Sequence, residues 1–60
     1  MSKLPFSDLE LVYDELAGAI DAAGVADTPK MLTKLALLLS AEIEDLSVIQ
    51  KAIRTAQEDL

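Results

Sequence analysis

The chain has 60 residues and carries eleven acidic side chains against five basic ones, a net charge of −6. A domain of this length buries only about 60% of the surface its unfolded chain exposes, and disulfides, metals or oligomerisation usually make up the shortfall. Cysteine and histidine are both absent, which excludes disulfides and removes the commonest zinc ligand and the commonest acid–base group. Self-association or very good helix packing remains.

The acidic balance opposes binding to phosphate backbones, whose affinity comes from Lys and Arg, and equally opposes an anionic membrane surface. Lys3 is followed at once by Pro5, Asp8 and Glu10, unlike the apolar core of a signal peptide. No apolar run approaches the roughly 20 residues of a membrane-spanning helix. The expectation is a single domain over residues 1–60, cytoplasmic, with neither nucleic acid nor membrane as a partner.

Ser7-Asp8-Leu9-Glu10 has the spacing of a capping box, with Phe6 and Leu11 placed as a hydrophobic staple. Leu9, Tyr13, Leu16, Ile20 and Ala23 then recur at helical spacing, with Val12 widening the stripe. Gly24 is placed to end this helix in a Schellman closure that pairs Ile20 with Val25. The first helix is expected over about residues 7–23.

Thr28 and Pro29 suit the N-cap and first position of a second helix, expected over about residues 29–44. Its main stripe is Leu32, Leu35, Ala36, Leu39 and Ile43, extended by Met31 and Leu38. Asp45 and Ser47-x-x-Gln50 signal a new helix start, so a third helix is expected over about residues 47–58, burying Ile49, Ala52, Ile53 and Ala56. Short loops make consecutive helices antiparallel neighbours. The fold expected is all-α, a small antiparallel three-helix bundle. The alternative is a dimerising helical hairpin in which the second helix runs unbroken to the C-terminus, because no Gly or Pro separates Ile43 from Val48.

Tyr13 and Leu16, the leucine-rich segment from Leu35 to Ala41, then Ile43, Asp45, Val48 and Ile49 together form a pattern. It resembles a family of short uncharacterised bacterial helical proteins, a domain of unknown function. The resemblance spans nearly the whole chain and implies a helical fold and no particular chemistry. Where that family is expected to carry Gly before the Asp of the turn, this chain has Glu44.

No residue set points to catalysis, a cofactor or a metal. Asp14 with Glu15, and Glu42, Glu44 and Asp45, are acidic clusters, but adjacent helical residues diverge by about 100° and do not converge on one ion. Ser7-Asp8-Leu9 is similar to the modified serine segment of acyl carrier proteins, yet Phe6 stands where that motif needs Asp. Lys30, Lys34, Lys51 and Arg54 have no interleaved aromatic residue, against a nucleic-acid surface.

Leu37 points away from the main stripe of its helix, among Thr33, Ser40 and Ala41. Small neighbours allow a partner helix to approach closely. On the first helix Leu11, Gly18 and Ala22 form a second strip on the side away from the core stripe. A mid-helix Gly costs about 1 kcal/mol relative to Ala, which close helix approach offsets. The six residues Thr33, Leu37, Ser40, Ala41, Leu11 and Gly18 are the candidate interface of a homodimer. A hetero-binding regulator whose acidic face docks on a basic protein is the competing reading.

Overall fold

In the computed structural model, residues 3–58 and 60 are described. All regular structure among them is helical: α1 spans Phe6–Ser40 and α2 spans Leu46–Gln57. A three-helix bundle is not what forms, and a helical hairpin describes the chain better. A straight helix of 35 residues would be about 52 Å long. The longest extent of the whole chain is 31 Å, so α1 is sharply bent.

The bend is at Gly24, whose φ of 79° and ψ of 170° lie in a region essentially reserved for glycine. The positive φ agrees with the stop expected there, but the extended ψ is not that of a Schellman closure. Val25 is 95% exposed and so does not pack on Ile20. Helical structure resumes immediately, not at Pro29. Thr28 is not an N-cap. Its Oγ1 donates to the Gly24 carbonyl at 2.6 Å and lies 3.5 Å from that of Ile20. This back-bonding holds 24–28 as a helical turn. Pro29 therefore lies inside α1, early in the second limb, where it withholds one N–H from the ladder.

The other helix ends also differ from their expected positions. Pro5 is the N-cap residue of α1 and no side chain caps it. The Pro5 carbonyl accepts from the Leu9 N–H at 3.0 Å, which draws Phe6 and Ser7 into the helix and leaves Ser7 unable to cap. At the other end α1 stops at Ser40 rather than near residue 44. Glu42 N–H donates to the Leu39 carbonyl and Ile43 N–H to that of Ser40, each at 3.0 Å, tightening the chain into turns. The last turn of α1 has no basic residue, and Glu42, Glu44 and Asp45 follow it. Negative charge is disfavoured beside a helix C-terminus, so these acids give the end of α1 no electrostatic support.

The break before α2 is real, which removes the unbroken second helix of the alternative hairpin. Asp45 caps α2, its Oδ1 accepting from the Ser47 N–H at 2.9 Å and from the Ser47 hydroxyl at 2.7 Å. These bonds hold the Asp45 carboxyl below its ordinary value of 3.8, the Ser47 hydroxyl contributing most.

The expected core does not close. No described residue is buried, and among the described residues no two Cα atoms twelve or more residues apart come within 8 Å. Leu16, Ile20, Ala23, Met31, Leu35 and Ile49 are half-buried, while Leu9, Val12, Tyr13, Leu32, Leu38, Leu39, Ala52, Ile53 and Ala56 are exposed. The two limbs of α1 diverge from Gly24, and among the described residues neither limb makes close backbone contact with the other or with α2 away from the joining turns.

Candidate self-association surface

The splayed limbs form an apolar cleft. Val12, Glu15, Leu16 and Ala19 line it from the first limb, and Met31, Leu35 and Leu39 from the second, around a space of about 280 Å³. Spacings of three and four put Val12, Leu16 and Ala19 on one side of the first limb, and Met31, Leu35 and Leu39 on one side of the second. Glu15 is the only charged side chain in this lining.

Outside the cleft, the second limb is apolar on most of its circumference. Leu37 is 68% exposed and Leu38 62%. Helix α2 is divided more sharply. Leu46, Val48, Ile49, Ala52, Ile53 and Ala56 fall on one half of its circumference, and Ser47, Gln50, Lys51, Arg54, Thr55 and Gln57 on the other. Of the apolar half only Ile49 is half-buried, and the rest is open.

The six residues singled out by sequence fall on two separate strips. Thr33 and Leu37 are exposed and one turn apart. The Thr33 hydroxyl is turned inward and donates to the Pro29 carbonyl at 2.9 Å. Ser40 is half-buried at the end of α1, its carbonyl used by Ile43. Ala41 is no longer helical but caps α1, its N–H donating to the Leu37 carbonyl at 3.0 Å. On the first limb Leu11 is exposed, and a Cβ added at Gly18 would meet nothing within 4 Å. None of the six lines the cleft between the limbs.

Sequence reasoning missed the larger part of the open surface, because it assigned the cleft residues and the apolar half of α2 to an internal core. The signal available was length: 60 residues seldom bury three apolar faces unaided.

Among the described residues no group of three or more His, Cys, Asp or Glu side chains is placed to hold a metal ion. No helix among them is long and apolar enough to cross a membrane. Comparison of the chain with protein-family models, with curated proteins and with solved structures gives no match in any of the three.

Proposed function

We propose that this chain is a self-associating helical module that acts by protein–protein interaction or as a small structural accessory, not as an enzyme. One observation carries the reading. The chain exposes 5587 Å², whereas a compact folded monomer of 6.4 kDa exposes about 3,800 Å². The excess of about 1,800 Å² per chain is accompanied by exposed leucines on both limbs and an exposed apolar half of α2. Two copies hiding that excess would remove about 3,600 Å² in total, inside the roughly 2,000–5,000 Å² of obligate homodimers. A closed two-fold pair is the commonest arrangement, and the strip of Thr33, Leu37, Ser40 and Ala41, with Leu11 and Gly18, belongs to its proposed surface.

Sedimentation equilibrium tests this. A dimeric mass is expected, little changed as salt rises from about 0.1 M to about 1 M and the screening length falls from about 10 Å to about 3 Å. The acidic α1 favours one other reading, a monomer that binds a basic protein. That reading requires a monomeric mass and a complex that dissociates over the same salt range. Leu37→Glu tests the strip itself: loss of the dimer supports its inclusion, and an unchanged mass removes the strip while leaving self-association standing.

A further inference from the structure

We propose that α2 of each copy seats in the cleft between the α1 limbs of a second copy, so that the pair is built by reciprocal exchange. This rests on the self-association reading and names its geometry. The first support is shape. The cleft has apolar walls formed by Val12, Leu16, Met31 and Leu35, and no residue of α2 lines it. Helix α2 has a complete apolar half that is open except at half-buried Ile49, and it is 12 residues long, about 18 Å, short enough to lie within a limb.

The second support is charge. Between Phe6 and Ser40 there are six acidic and two basic residues, whereas Leu46–Gln57 contains Lys51 and Arg54 and no acid. Five of the six acids lie on the first limb, so packing α2 on that limb of the partner sets Lys51 and Arg54 against opposite charge. Complementarity of this kind selects register and suppresses wrong pairings, with the affinity coming from apolar burial. Glu15 stands in the cleft lining, and Lys51 borders the apolar half of α2 beside Val48 and Ala52. The two are placed to meet across copies.

The third support is area. A face-to-face contact through the Leu37 strip alone would leave both the cleft and α2 in water, far short of the excess of about 1,800 Å² per chain. Exchange of α2 covers both at once, twice per pair.

The chain has no cysteine, so thiols introduced in pairs report proximity without background. Full-length Ala19→Cys and Ala52→Cys chains are prepared separately, mixed, unfolded and refolded together, and oxidised. Their masses are followed by sedimentation before oxidation. The expected product is a disulfide-linked heterodimer of one Ala19→Cys and one Ala52→Cys chain, with either variant alone staying unlinked. A dimeric mass with links only between identical variants overturns the exchange and keeps self-association. So does a dimeric mass with no link in the mixture. A monomeric mass overturns both. An Ala19→Cys/Ala52→Cys double variant that links within one chain in its dimeric form also overturns the exchange, because α2 would then fill its own cleft.

Discussion

Gly24 and Asp45 set the two changes of direction in this chain, and each makes a residue-level prediction. At Gly24 a positive φ with extended ψ costs a side-chain-bearing residue about 1–3 kcal/mol. Gly24→Ala should therefore lower the urea midpoint of unfolding, read by circular dichroism. Gly18→Ala separates two cases: within one chain Gly18 sits mid-helix with open space around it, so the substitution gains about 0.5–1 kcal/mol of helix stability where no second copy packs closely on it. A loss on Gly18→Ala, with dissociation, would instead place Gly18 in a close helix–helix contact. For Asp45, the native carboxyl titrates below its ordinary 3.8 because Ser47 bonds to the charged form. The cap's contribution is thus fully present above 3.8 and is lost as pH falls through the lower native value. The Ser47 amide proton should shift with a midpoint below 3.8, and the shift should vanish in Asp45→Asn while the cap persists. A midpoint at or above 3.8 would contradict the cap.

At the scale of elements, helix content and the breaks were readable in the sequence more clearly than what the helices touch. The turn before α2 was legible because Asp45 and Ser47 act locally, within two residues of each other. Gly24 was legible as an interruption, since its freedom in φ is a property of the residue itself. The start of α1 was not, because Pro5 supplied a backbone carbonyl where a Ser7 side chain was expected. Thr28 was misassigned for a similar reason: a hydroxyl can bond forward as a cap or backward to the preceding turn, and here it bonds back to Gly24. Burial was the least legible, since periodicity states which residues share a face and not which molecule covers it. Leu35 and Ile53 decide this experimentally. Leu35→Glu in the cleft and Ile53→Glu on α2 should each weaken self-association by at least about tenfold, given roughly 1.5–3 kcal/mol for each buried large apolar side chain. Sedimentation of each variant checks this, and a dimer that tolerates both substitutions would show that neither face is used.

For the whole molecule, the absence of a buried described residue joins fold to function. A chain that hides no side chain completely has little to offset the conformational entropy of ordering its helices. Its helices also gain little from propensity alone at these lengths. Completion by a second copy, as proposed, would supply the missing burial and would make folding depend on concentration. The acidic excess is compatible with the proposed pair, since net charge disfavours association beyond it. The most direct test follows thermal unfolding by circular dichroism across a dilution series of the full chain. If burial comes from a second copy, the midpoint must fall as the protein is diluted, because the folded state is stabilised by mass action. A midpoint that stays constant on dilution, in a species of 6.4 kDa, would contradict the claim that this chain is completed by its copy.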